Sequence, residues 1–270
     1  MSYAKSIIKV SLFSLVLGGT FKCFPLIAAE LPLDGYRIAA RAELNKDGFN
    51  DHSANVTMIL RNAAGDTSQR EMIIDTLEQK DDGDKVLITF LTPGDLKGTS
   101  LLNYTHRAKD DERWLYLPVL KRVKRIASKN KSGPFMGSEF AYEDLSSVEV
   151  NKYDYRFLRE ENLDGQAAYV VERTPNDLYT GYKSQQVWYG KEALRILKIE
   201  YYDRKNSLLK TQRNKDFKLF EQQYWYPMTI SMVNHQTQQS TELIYNQFKL
   251  NQQLDDKLFH PAQLKRNRRQ

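Results

Sequence analysis

The chain has 270 residues, 41% of them apolar and 11% aromatic, with a formal charge of +6. That length and apolar content suit one large domain with its own core. The lone cysteine, Cys23, lies within the first thirty residues, so a chain processed after them has no thiol. Disulfides, cysteine metal sites and cysteine nucleophiles are then excluded together.

Residues 1–29 read as a secretory signal peptide: Lys5 and Lys9 precede the apolar run that begins at Val10, and small residues end it at Ala28 and Ala29. Cleavage is expected after Ala28 or Ala29. The apolar run is shorter than the ~20 residues of a spanning helix. Lys22 stands before Cys23, where lipoprotein processing wants a small residue. The leader holds three lysines and no acid, so its removal lowers the charge to +3. Four of the remaining positives are Lys265, Arg266, Arg268 and Arg269, and the near-neutral body argues against nucleic acid as a partner. The mature domain is expected to run from 30 to 270, with 265–270 as a basic tail able to touch anionic headgroups.

A helix is expected at 33–44. Short segments rich in β-branched and aromatic residues then predict strands at 55–61, 69–78, 85–92, 99–106, 113–117 and 122–126. A second set follows at 149–160, 167–173, 182–189, 196–203, 209–219, 226–234 and 241–248. The connectors are short, which favours hairpins over helical crossovers. Between the two sets, 135–145 reads as a loop and short helix. The fold class is mainly β: one long, curved antiparallel sheet with an N-terminal helix and an internal helical lid. A sheet of so many strands must curl or close to hide its apolar face.

Catalytic spacing is lacking. His52, His106, His235 and His260 form no HxH or HExxH pattern and read as surface or strand-end histidines. No nucleotide loop or serine-hydrolase elbow occurs. The acidic clusters at 81–84 and 110–112 lack the pattern of a calcium loop and read as solvated hairpin turns. Glu139, Glu143 and Asp144 have no nucleophile or metal ligand near them in sequence. No enzyme activity, cofactor or metal is expected.

Two runs stand out. In 114–126 (WLYLPVLKRVKRI) an apolar strand turns at Pro118 into a basic one, with Arg122 and Lys124 on one face and Lys121, Val123 and Arg125 on the other. Such a strand is either an edge protected against aggregation or a docking surface for something anionic. In 135–145 (FMGSEFAYEDL) flexible Met and aromatic side chains suit a mobile lid over an apolar ligand, or a plug that closes one end of the sheet.

These runs, with 92–99 (TPGDLKGT) and the ending 256–261 (DKLFHP), resemble the outer-membrane lipoprotein-sorting group related to the periplasmic carrier LolA. The resemblance implies a half-open antiparallel barrel closed by helices, with a hydrophobic cavity that receives acyl chains and no catalytic residues. It also implies a link to resistance-nodulation-division (RND) type exporters.

The expectation is therefore a monomeric periplasmic carrier of a lipid or a lipoprotein acyl chain. Its cavity or lid would draw on Trp114, Tyr116, Phe135, Met136, Phe140, Tyr142, Trp188 and Tyr226. Partner docking would use Lys121, Arg122, Lys124 and Arg125. The rival is an adaptor of an envelope exporter, with a filled barrel.

Overall fold

The computed structural model describes residues 34–266; the expected signal peptide, Cys23 and the last four residues of the basic tail lie outside them. One α-helix, α1 (Gly35–Leu44), precedes thirteen strands. The first six are β1 (Asp51–Arg61), β2 (Thr67–Leu77), β3 (Lys85–Thr92), β4 (Ser100–Tyr104), β5 (Glu112–Leu117) and β6 (Arg122–Ile126). The next seven are β7 (Tyr153–Leu163), β8 (Gln166–Pro175), β9 (Tyr182–Gly190), β10 (Ile196–Asp203), β11 (Leu208–Phe220), β12 (Tyr224–Asn234) and β13 (Ser240–Leu250).

All thirteen form one antiparallel sheet in the order β6-β5-β4-β3-β2-β1-β13-β12-β11-β10-β9-β8-β7. Each neighbour in sequence is a neighbour in space, except that β1 pairs with β13 and that β6 and β7 are the two free edges. The sheet is therefore a half-open barrel, as the short connectors imply. Its two meanders meet at the β1–β13 seam.

Alternation fixes the faces. In β1, Ala54, Val56 and Met58 are buried on the inner face, while Asn55 and Thr57 point away. The inner core continues through Met72, Ile74, Ile88, Phe90, Met232 and Leu243 and is closed by Ile38, Ala39 and Ala42 of α1. The helix starts at Asp34, whose carboxylate accepts from the Tyr36 amide. It lies so close to edge strand β7 that a Cβ on Gly35 would stand 2.8 Å from the Phe157 nitrogen. Only glycine allows that approach.

β3 is buried on both faces, which explains an apolar run interrupted only by Thr89. Its outer-facing Leu87 packs with Leu102, Phe259 and Leu264, because the C-terminal segment folds back over this part of the sheet. Phe259 is the wedge: it is fully buried, and its carbonyl accepts from the Tyr104 hydroxyl.

The connection from β6 to β7 is the expected internal insert. It contains 3-10 turns rather than an α-helix, the longest at Tyr142–Leu145. Its first part is a small hairpin, bridged between Pro134 and Ala141 and turned at Met136 and Gly137, both at positive φ. Phe135, inside that hairpin, is completely buried and stacks on Phe90 with 5.7 Å between centroids.

Candidate functional site

Two adjoining cavities lie between the inner face of the sheet, α1 and the insert, with volumes of about 720 and 620 Å3. They share the wall formed by residues 146–149 and by Gln212, Tyr226 and Pro227. Both lie in the size range of small-molecule sites. Their walls differ in character.

The smaller cavity has an apolar wall. Ile74, Val86, Ile88, Ile230, Leu243 and Phe248 reach it from the seam-side strands β1–β3, β12 and β13, and Phe140 from the insert. His52 also lines it, its ring packed at 4.9 Å on Phe248 and 5.4 Å on Tyr226. Burial pulls this imidazole down to about 3, so it is neutral and behaves as another flat, weakly polar ring. The mouth carries carboxylates. Burial pushes Asp84 up to about 6, against a hydrogen bond from the Ser147 hydroxyl at 2.9 Å. Burial pushes Glu149 up to about 7, although Arg107 stands 3.5 Å away.

The larger cavity mixes apolar side chains such as Ile196, Ile199 and Phe217 with many polar ones. Inward positions of β8, β9, β10 and β11 supply Arg173, Gln185, Tyr201 and Gln212, and β7 supplies Tyr153. Nearby, Lys210 and Asp144 pair at 2.6 Å, and Asp144 also accepts from the Tyr182 hydroxyl at 2.7 Å. The two cavities thus bring apolar and hydrogen-bonding patches side by side. The arrangement can hold an amphiphile. It offers no nucleophile with an activating base, and no cluster of metal-ligating side chains occurs among the described residues.

The insert is pinned along its length. Arg70 donates to the Met136 carbonyl at 2.6 Å, Asn103 to the Leu145 carbonyl at 2.9 Å and Arg113 to the Ser146 hydroxyl at 2.8 Å. Glu143 accepts from Thr180 and the Gly181 amide, each at 2.9 Å. These bonds make it a plug. Glu139 accepts from the Asn234 side-chain amide at 2.7 Å, so Glu139, Glu143 and Asp144 all serve as hydrogen-bond acceptors that hold the insert.

The structure brings together only part of the expected cavity set. Phe140 and Tyr226 line cavity walls. Phe135, Met136 and Tyr142 pack in the inner core around the plug. Trp114, Tyr116 and Trp188 do not face the cavity, contrary to expectation. Trp114 and Tyr116 alternate with inward Leu115 and pack on the outer face beneath the C-terminal segment. Trp188 alternates with inward Val187 and Tyr189; its indole donates to Glu161 at 3.1 Å and lies 3.5 Å beneath the Lys198 ammonium.

The basic strand is the edge β6. Arg122 and Lys124 pair with Leu117 and Leu115 on the inner-face register, and Val123 and Arg125 lie on the other face. Arg125 is tied to Glu112 at 2.7 Å, whereas Lys121, Arg122 and Lys124 are exposed and form no ion pair among the described residues. Beside them Val119 is 83% exposed at the hairpin tip.

Two other expectations change. His52 and His106 stand at or near strand ends, as one of the two readings had it, but they are not surface groups: His106 is buried and bonds Asp82 at 2.5 Å. The acidic turns are not simply solvated either, since Asp82 and Asp84 hold the loops at 105–107 and 147, and Asp111 pairs with Arg113 at 2.9 Å and with Lys152. Sequence reasoning missed Arg173, Asp84 and Glu149. For Arg173 a signal existed, because it continues the inward alternation of Tyr169 and Val171.

A family model described as an uncharacterized protein matches residues 82–266. No curated protein matches. Among solved structures, the chain is similar to an outer membrane lipoprotein-sorting protein domain from Vibrio parahaemolyticus, at 46% identity over 86% of this chain and 98% of that one, with a TM-score of 0.84. It is similar to a DUF1329 family protein from Desulfovibrio piger, at 29% identity over 85% and 97% of the chains, with a TM-score of 0.80. A LolA superfamily protein from Nitrosomonas europaea, at 21% identity over 84% and 98%, has a TM-score of 0.67 and shares the fold.

Proposed function

Since the chain belongs to the outer-membrane lipoprotein-sorting family, we propose that it is a periplasmic carrier that takes a lipid or lipoprotein acyl chain into its inner cavity and moves it between envelope membranes. The observation that carries this reading is the unfilled interior: a cavity of about 620 Å3 with an apolar side formed by Ile74, Val86, Ile88, Ile230 and Leu243, adjoining a second of about 720 Å3. A filled barrel, as the adaptor reading requires, would have no such space. Burying acyl chain there supplies roughly 0.8 kcal/mol per methylene, so about ten buried methylenes match the ~8 kcal/mol of micromolar binding. The export signal read at 1–29 supports a periplasmic location, and among the described residues no helix is long and apolar enough to cross a membrane.

Loading and release need a membrane partner, and we place its docking surface at the β5–β6 hairpin. Among the described residues, Lys121, Arg122 and Lys124 lack carboxylate partners and flank exposed Val119. An RND-type exporter with an acidic periplasmic face is the partner this surface suits.

Native mass spectrometry of the protein purified gently from its own envelope tests the carrier reading. A reproducible adduct that leaves on denaturation and fragments as a lipid is expected. A clean protein mass, unchanged after incubation with envelope lipid extract, would sink it.

A further inference from the structure

Arg173 stands out among the buried cations. It is 3% exposed, points inward from β8 and lines the larger cavity. Other buried basic side chains each have a carboxylate: Arg113 has Asp111 at 2.9 Å, Lys210 has Asp144 at 2.6 Å and Lys198 has Glu200 at 2.9 Å. Arg173 has none within ion-pair distance among the described residues. Its single side-chain hydrogen bond runs from Nε to Gln185 Oε1 at 2.6 Å. The guanidinium lies 4.9 Å over the Tyr153 ring. Leaving a buried charge without a counter-charge is costly, and proteins retain such groups where a partner arrives.

The geometry decides which partner. Gln185 occupies Nε and the Tyr153 ring lies against the guanidinium, so the two terminal nitrogens make no hydrogen bond among the described residues and remain available to a group in the cavity that Arg173 lines. Such a pair of nitrogens receives a carboxylate or phosphate with two parallel bonds. The surrounding charge agrees. Eight basic and six acidic side chains line the larger cavity, whereas two basic and seven acidic line the smaller one. The first cavity therefore suits an anionic group better than the second, and the apolar side of the second receives what the anion carries.

Resting on the carrier reading, we propose that Arg173 is the headgroup subsite: the cargo is an anionic amphiphile whose carboxylate or phosphate monoester sits on the Arg173 guanidinium while its chain lies along the Ile88–Leu243 wall. The head orients the cargo, and neutral amphiphiles of equal chain length bind less well.

Calorimetric titration of the delipidated protein with decyl phosphate, 1-decanol and inorganic phosphate tests this. Decyl phosphate is expected to bind at least ~10-fold more tightly than decanol, the ratio that a charge-assisted pair of about 1.4 kcal/mol gives. Inorganic phosphate is expected to bind far more weakly than decyl phosphate. In Arg173→Met the phosphate-to-alcohol ratio should fall to near one, and Arg173→Lys should keep part of it. Equal affinities in the unaltered protein would overturn the headgroup subsite and leave the carrier reading standing. Failure of both amphiphiles to bind would overturn the two together. Inorganic phosphate binding as tightly as decyl phosphate would make this a free-anion site and overturn the lipid source. A ratio that survives in Arg173→Met would remove Arg173 from the role. The comparison in the unaltered protein decides even if the methionine variant fails to fold.

Discussion

Lys210 and Asp144 form an ion pair at 2.6 Å in which the side chains are only 4% and 2% exposed. One belongs to β11 and the other to the insert, so the pair fastens the plug to the inner face of the sheet. Lys210 also donates to the Glu139 carbonyl at 2.9 Å, and Asp144 accepts from the Ala141 amide at 2.7 Å.

Breaking one side of this pair leaves a buried charge. Asp144→Asn is expected to lower stability by about 3–5 kcal/mol, read from the midpoint of urea unfolding. Asp144→Leu combined with Lys210→Met should recover much of the loss. A cost below about 1 kcal/mol for the single change would show that the plug is held by its apolar contacts instead.

Burial raises Asp84 from 3.8 to about 6 and Glu149 from 4.5 to about 7. The folded chain therefore keeps two protons that the unfolded chain releases between pH 4 and 7. Their contribution to stability is full below about pH 4 and is lost as the pH rises through 6 and 7. His52, lowered from 6.5 to about 3, acts in the opposite sense: its contribution is full above 6.5 and is lost as the pH falls toward 3. The clean readout is a difference. Glu149→Gln should gain stability relative to the unaltered protein as pH goes from 5 to 8; a pH-independent difference in thermal midpoint would contradict the assignment.

Ile230 reaches the apolar cavity without being fully buried. Ile230→Trp should occupy space otherwise open to cargo and weaken binding of a fluorescent fatty acid about tenfold, the loss of two methylenes at ~0.8 kcal/mol each. Unchanged affinity would mean that cargo lies elsewhere.

Trp188 offers the contrast. It is 1% exposed but packs on the outer face. Trp188→Ala is expected to cost about 3–5 kcal/mol of stability and to leave fatty-acid affinity within about twofold. A selective loss of affinity at unchanged stability would return Trp188 to the binding site.

Reversing Arg122 and Lys124 to Glu alters exposed groups without ion-pair partners, so stability should move by no more than about 0.5 kcal/mol. A photocrosslinker at Val119 in intact envelopes is expected to capture an RND-type exporter, and the reversal to abolish that capture. Capture that persists would move the docking surface away from β6.

The strands were legible because each carries its own alternation and turn signals, and all thirteen lie where these signals place them. Which alternate side chains face the cavity was not legible. Trp114 and Trp188 look like core residues on any face, and Trp114 is turned outward because Phe259, distant in sequence, provides it with an outer cover. Arg173 was missed for the complementary reason. An arginine within a strand reads as solvent-facing, and only the closure of β7, β9 and β10 around it makes it an interior group. Asp84 sits in a turn, yet Ser147 closes over it from the insert. Local pattern fixes strand and period, while burial at a given position depends on segments that arrive from elsewhere in the chain.

The β1–β13 seam has a consequence for how the molecule is made. The partner of Asp51–Arg61 is Ser240–Leu250, the last of the thirteen strands to emerge in synthesis. Until then β1 exposes an unpaired edge, and the inner face cannot be enclosed by any shorter length of chain. Closure of the sheet is thus deferred to the end of synthesis, and the long-range β1–β13 pairing makes folding slow relative to that of a fold built from local contacts.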